Sequence, residues 1–264
     1  MKADRVEVIV EGSGPQAIVM IHGWPDTHHL WDAQVEALKA SFRCVRFTLP
    51  GFECTAAARA YGLGEVIEII RRVVEQACPG ERVTLLLHDW GCFYGYQLAM
   101  KYPELVERVV GVDIGDAGSR QNRAELGVKG KAIVLAYQLW LALAWRIGGR
   151  VGDAMAKWMA RAMRCPTDQR TIHAQMGYPY AVRWLGAAGG LQGLKVFKPH
   201  CPLLFMYGER KPVMFHSREW AERIGSKPGN RVVAFNTGHW IMVQQADAFN
   251  AALRTWLRET EKLA

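Results

Sequence analysis

Leu85-Leu86-Leu87-His88-Asp89-Trp90-Gly91-Cys92 is the stretch on which the reading of the chain turns. Apolar residues close a strand, one acid follows, and helical spacing starts at once. A sharp strand-to-helix turn of this kind lifts its central side chain above the edge of a sheet and exposes it to a pocket. The helix N-terminus beneath it favours negative charge, which suits a carboxylate or a forming oxyanion. The same residues fit a plainer meaning equally well, with Asp89 as the cap of the helix and nothing more.

On both sides of this stretch, short apolar runs alternate with helical spacing. Residues 5–11 (RVEVIVE) alternate as a strand, 17–21 form a buried strand that stops at His22-Gly23, 30–38 read as a helix, and 44–48 form a strand stopped by Pro50-Gly51. A helix follows over 63–76, strands over 83–87 and 109–114, and a helix over 91–101 between those strands. From 117 to 199 the chain reads as helical with no convincing strand. The alternation then resumes with a strand over 203–207, a helix over 218–224, a strand over 231–235 and a helix over 246–259. Short buried strands alternating with helices predict an α/β fold, with a mostly parallel sheet covered by helices on both faces. A helical block between two strands of one sheet predicts an inserted cap. The expected organisation is a core of 1–116 and 200–264 and a cap of 117–199.

Two further motifs stand directly after predicted strands: His22-Gly23-Trp24-Pro25-Asp26 and Gly238-His239-Trp240. Each is ambiguous alone, because an isolated histidine is more often structural than catalytic. Together with Asp89 they place an acid, an oxyanion loop and a base at the C-terminal ends of three strands. Ligands bind at that edge of an open α/β sheet.

With these three motifs in this order, the chain resembles the epoxide hydrolases and haloalkane dehalogenases of the α/β-hydrolase fold. The resemblance runs over nearly the whole chain, cap included, and an aspartate in the serine position is specific for this branch. It implies a catalytic triad in which Asp89 attacks a carbon bearing a leaving oxygen or halide and forms an ester. His239 would then deprotonate the water that hydrolyses the ester. Backbone N–H groups of Trp24 and Trp90 would hold the oxyanion of that second step. The third member departs from the common pattern. Many relatives carry an aspartate three residues after the glycine that ends the next-to-last strand. Here Tyr207-Gly208-Glu209-Arg210-Lys211 puts Lys211 there, and a lysine cannot orient an imidazolium. Two acids stand nearby in sequence. Asp116, just past the strand 109–114, lies where one dehalogenase group carries its acid, and it is the expected partner; Glu209 is the alternative. Asp113 falls within that strand on this reading and is set aside.

The relatives use two cap tyrosines to protonate a leaving alkoxide. Tyr137 has family-like spacing from Asp89, and Tyr180, or alternatively Tyr178, stands where the second is expected, although aromatic residues in a cap also serve as plain packing. Trp24 in the H-G-x-P loop and the terminal G-H-W favour an epoxide. Leu87 two residues before the nucleophile and an acid at Asp116 favour a halide, with Trp140, Trp145, Trp158 and Trp184 as candidate halide donors. The expected reaction is opening of an epoxide to a vicinal diol. Haloalkane dehalogenation with the same Asp89 and His239 is the alternative. A non-catalytic relative that binds a hydrophobic ligand, motivated by Lys211, is a third reading.

Composition narrows the classes. Half of the 264 residues are apolar and 22% are charged, as in an ordinary globular protein. The longest uncharged apolar run, Ala132 to Trp145, has 14 residues, short of the roughly 18 that a membrane span needs. No apolar signal core follows the N-terminus, so a cytoplasmic location is expected. Cys44, Cys54, Cys78, Cys92, Cys165 and Cys201 include no C-x-x-C pair and no adjacent histidine cluster, so reduced thiols are expected, with no metal and no organic cofactor. Residues 117–199 carry 13 Lys/Arg against 3 Asp/Glu, while the remainder carries 20 against 22. The bases are dispersed and no nucleic-acid motif accompanies them, so they read as a solvated cap surface. Leu135, Leu139, Ala142 and Leu143 share one helix face, which suggests a small lipophilic substrate. A buried helix is the plainer explanation of that face. A further one is a cap that docks on a membrane surface, without stable insertion, or on a second subunit in a homodimer.

Overall fold

The computed structural model describes residues 2–3, 6–53 and 58–261. Cys54 and the first residues of the chain, Met1, Asp4 and Arg5, lie outside them. In chain order the elements are β1 (Lys2–Ala3), β2 (Val6–Glu11), β3 (Gln16–Ile21), α1 (Asp32–Leu38), β4 (Phe42–Phe47), α2 (Leu63–Ala77), β5 (Val83–His88), α3 (Trp90–Lys101) and β6 (Val106–Val112). They continue with α4 (Arg120–Glu125), α5 (Gly127–Ile147), α6 (Gly149–Ala162), α7 (Tyr178–Leu185), β7 (Leu203–Gly208), α8 (Arg218–Gly225), β8 (Arg231–Phe235), α9 (Ile241–Gln244) and α10 (Ala246–Glu261).

The strands form one sheet in the order β1-β2-β4-β3-β5-β6-β7-β8. β2 runs antiparallel to β1 and β4, and every pair from β4 through β8 is parallel. This is the α/β fold expected from the alternation. The central strands are apolar throughout because both faces are covered. Val19, Ile21, Leu85 and Leu87 pack on one face with Val66, Ile70 and Val73 of α2. Ile18, Met20 and Leu86 pack on the other with Val35 of α1 and Leu253 and Trp256 of α10. Successive side chains of a strand point to opposite faces, so a single apolar run supplies both halves of the core.

Two expectations are corrected. β6 ends at Val112 rather than at 114, and Asp113 leaves it with φ +68. The run Val-Gly-Val-Asp-Ile looked longer than the strand because Ile114 is apolar, but the parallel ladder with β7 closes at the pair Val112–Met206. Helices α4 to α7 run between β6 and β7, yet 117–199 is not helical throughout. Residues 163–173 and 190–202 take irregular paths. Pro166 interrupts the first; Gly186 and Gly189, at positive φ, stand just before the second, and Gly190 and Gly193, also at positive φ, lie within it. No described helix is long and apolar enough to cross a membrane.

Candidate active site

Asp89 sits between the last residue of β5 and the first of α3, with φ 51 and ψ −120. A non-glycine residue with this backbone is strained by about 1–3 kcal/mol and persists only where its surroundings hold it. Two glycines make room for it. A Cβ on Gly91 would lie 2.2 Å from the carbonyl oxygen of Ile21, and one on Gly23 would lie 2.3 Å from Oδ1 of Asp89. The H-G and D-W-G motifs thus occur together because their backbones touch. That closeness lets the N–H of Trp24 donate to Asp89 Oδ1 at 2.7 Å. Burial pushes the Asp89 carboxyl above the ordinary range, while His239 and the N–H groups of Trp24 and Trp90 offset part of that rise.

His239 follows β8, and Nδ1 of its ring is bonded to Oδ2 of Asp113. Its Nε2 stands 3.8 Å from Oδ2 of Asp89, beyond hydrogen-bond length. The ring of His88 lies against it, centroid to centroid 4.4 Å. Burial alone would lower the His239 pKa, but the charges of Asp113 and Asp89 outweigh it, so the ring titrates above its ordinary value. Asp113 is fully buried and accepts from the N–H of Gly208 at 3.0 Å and from the ammonium of Lys211. Burial would raise its pKa; Lys211 and His239 reverse this and hold it well below the usual carboxylate range.

The acid beside His239 is therefore Asp113, and the expectation of Asp116 or Glu209 is corrected. Asp116 instead ties two loops together: Oδ1 accepts from the Ser217 N–H at 2.6 Å, and Oδ2 accepts from the hydroxyls of Ser119 and Ser217 at 2.6 and 2.8 Å. Both oxygens of its carboxylate are engaged by these donors. Glu209 is exposed, and among the described residues its carboxylate makes no hydrogen bond to His239. The signal for Asp113 was present in the sequence. It is the one charged residue in an apolar run, and a carboxylate in a strand buried on both faces has no partner unless the strand has ended. Lys211 occupies the usual acid's position and supplies the counter-charge to the displaced acid.

The other loop residues are held as scaffold. His22 accepts the Leu49 N–H on Nε2 at 2.9 Å and turns Nδ1 toward the Gly23 carbonyl at 3.0 Å. Burial pulls its pKa down to about 3, so it stays neutral. Asp26 accepts from the indole N–H of Trp240 at 3.0 Å and from the Thr167 hydroxyl, and burial pushes its pKa up to about 6.

A cavity of about 300 Å³ opens over Asp89. Trp90, Phe93, Phe215, Tyr137 and Tyr180 are among its lining residues, and Tyr178 is not. Tyr178 packs instead on Phe52 and Tyr61. The rings of Tyr180 and Trp90 meet edge to face at 5.4 Å. Burial raises both cavity hydroxyls above the ordinary tyrosine range, so Tyr137 and Tyr180 stay protonated. Of the four tryptophans considered as halide donors, only Trp184 lines the cavity, and its N–H is spent on Gln138 Oε1 at 2.9 Å.

A family model described as alpha/beta hydrolase fold matches residues 16–246. Epoxide hydrolase 2 of Caenorhabditis elegans is 31% identical over 114 residues, which are 42% of this chain and 32% of that protein. The chain thus spans about a third of that relative's length. The crystal structure of the Bacillus megaterium epoxide hydrolase with an inhibitor superposes with TM-score 0.73 at 20% identity, covering 96% of each chain. A thermophilic esterase from Thermogutta terrifontis gives 0.71 at 18% identity, covering 96% of this chain and 93% of that one. At these identities the structural likeness concerns the fold, which epoxide hydrolases and esterases share, and function is argued from the site.

Proposed function

Because the chain belongs to the α/β-hydrolase fold family, we propose that it is an epoxide hydrolase acting through an alkyl ester on Asp89. The observation that carries this reading is the division of labour on one carboxylate. Oδ1 of Asp89 is held by the Trp24 N–H at 2.7 Å, and Oδ2 faces His239 at 3.8 Å. Oδ2 is then the attacking oxygen. It bonds to an epoxide carbon as the C–O bond of the ring breaks, and the leaving oxygen takes its proton from Tyr137 or Tyr180. Next, His239 takes a proton from water, and the hydroxide adds to the Asp89 ester carbon. Oδ1 carries the resulting negative charge toward the N–H groups of Trp24 and Trp90. Collapse of the adduct breaks the ester C–O bond, the leaving alkoxide takes the proton of the added hydroxide to give the diol, Asp89 returns as a carboxylate, and the proton on His239 returns to the tyrosine. Asp113 holds the imidazole in the tautomer this sequence needs. Helices α4 to α7 act as a cap of 117–199, which supplies the tyrosines, on a core of 1–116 and 200–264.

A dehalogenase using the same pair is the second reading. One observation favours it: an acid directly after β6, as in the dehalogenase group noted above. Purified protein assayed on styrene-type and aliphatic epoxides and on matched chloro- and bromoalkanes separates the two. Diol formation that disappears in Asp89→Ala supports the first reading. Halide release without diol formation replaces it with the second, and no turnover in either panel sinks both.

A further inference from the structure

Among the described residues four charged side chains line the cavity, and three of them are cations: Arg123 of α4, Lys131 of α5 and Arg183 of α7, against Asp89. Among the described residues none of the three is ion-paired with a carboxylate. Arg123 and Lys131 are exposed, but Arg183 is half-buried. Its guanidinium lies 5.3 Å from the Trp184 ring centroid, and burial lowers its pKa, with Arg123 adding in the same direction. It lines the same cavity as Tyr137 and Tyr180, the hydroxyls assigned to the leaving oxygen, and its charge acts on both. A guanidinium withdrawn from water without an anionic partner is unfavourable, and its five donors suit an oxyanion. The unmatched charge marks where a ligand's own anion fits.

We propose that the cavity binds a compact epoxide that carries a carboxylate, with Arg183 as the residue that pairs with it. One half-buried guanidinium matches a singly charged carboxylate, and the two exposed cations draw such a molecule inward and offset its repulsion from Asp89. The lipophilic substrate expected from the cap helix then becomes an amphiphile, apolar toward Phe93 and Phe215 and anionic toward Arg183. The epoxide part of this inference rests on the reading of Asp89 as nucleophile; the anion site does not.

Two measurements test it. Calorimetry compares binding of two unreactive diols that differ only in a carboxylate or a primary carboxamide, and turnover is compared on the two corresponding epoxides. The carboxylate diol is expected to bind about tenfold or more tightly than the carboxamide, as a charge-assisted hydrogen bond implies. Arg183→Gln is expected to remove about tenfold more from the carboxylate epoxide than from the carboxamide. Equal binding of both diols by the wild type overturns the proposal, and so does equal loss on both epoxides, which would mean that Arg183 acts through the tyrosines. The wild-type comparison needs no variant, so it decides the matter even where Arg183→Gln fails to fold. A binding preference without turnover of any epoxide leaves the anion site standing and removes the hydrolase reading. Turnover without a preference does the reverse.

Discussion

Lys211 and His239 share one carboxylate: the lysine ammonium is on Oδ1 of Asp113, and the imidazole Nδ1 is on Oδ2. Lys211 is buried there, its side chain 7% exposed. A triad acid ordinarily lends its full charge to the imidazolium. Here a cation stands on the same carboxylate, repelling the imidazolium and weakening the acid's pull on it. Asp113 and Asp89 still prevail, and His239 titrates above its ordinary value.

Replacing Lys211 by methionine is expected to move the pH profile. In the proposed reaction His239 must be neutral to take a proton from water, so activity is expected to fall as pH drops through its pKa. Lys211 lowers that pKa; without it the pKa rises, and the acid limb of kcat shifts to higher pH. A limb that stays in place, or moves to lower pH, contradicts this account of Lys211.

Asp113 and Asp116 are expected to separate cleanly. Asp113→Asn removes the group that holds the His239 tautomer, and ester hydrolysis should fall by about 10⁴. Asp116→Asn weakens the ties to Ser119 and Ser217, which should lower stability by about 1–3 kcal/mol and change the single-turnover rate far less. Urea unfolding and rapid-quench turnover on both variants check the pair. A large rate loss in Asp116→Asn with unchanged stability would reverse the assignment.

The strands were legible in the chain because a buried parallel strand announces itself as an apolar run between turn residues, as β3 and β5 do. Their ends were less so. The end of β6 is set by its pairing with β7, about 90 residues on, and one sequence does not display that partner. Asp89, Trp24 and His239 stood out because each sits in a short motif right after a strand, and the sheet brings such positions to one edge. The bond between Lys211 and Asp113 spans 98 positions. Reading the vacancy at Lys211 was possible from the pattern of the relatives the chain resembles; finding which acid had moved required the packed structure.

Gly23→Ala is expected to damage the site more than its small size suggests. The new Cβ would meet Asp89 Oδ1 at 2.3 Å and the Trp90 backbone nitrogen at 2.5 Å, so the elbow must shift. Overpacking of this kind lowers stability by about 1–3 kcal/mol, and a displaced nucleophile loses about 10²-fold in rate. Gly64→Ala, at an exposed position of α2, serves as the control. Nothing lies within 4 Å of its Cβ, and stability should rise by about 0.4–1 kcal/mol. Near-wild-type activity in Gly23→Ala would remove the close-approach argument.

On the proposed mechanism the tyrosines separate the two leaving groups. Tyr137→Phe and Tyr180→Phe should each slow epoxide alkylation by about 10- to 100-fold. Tyr178→Phe, outside the cavity lining, should have a much smaller effect. Halide release needs no proton, so pre-steady-state rates on a matched haloalkane should not show the same pattern. Equal loss on epoxide and halide would reassign Tyr137 and Tyr180 to packing.

The central claim is a covalent bond to Asp89, and intact-protein mass spectrometry reads it directly. His239→Gln mixed with an epoxide that the wild type turns over should gain one epoxide mass, and peptide mapping should place it on Asp89. An unmodified Asp89 in that variant, or an adduct on another residue, would contradict the mechanism.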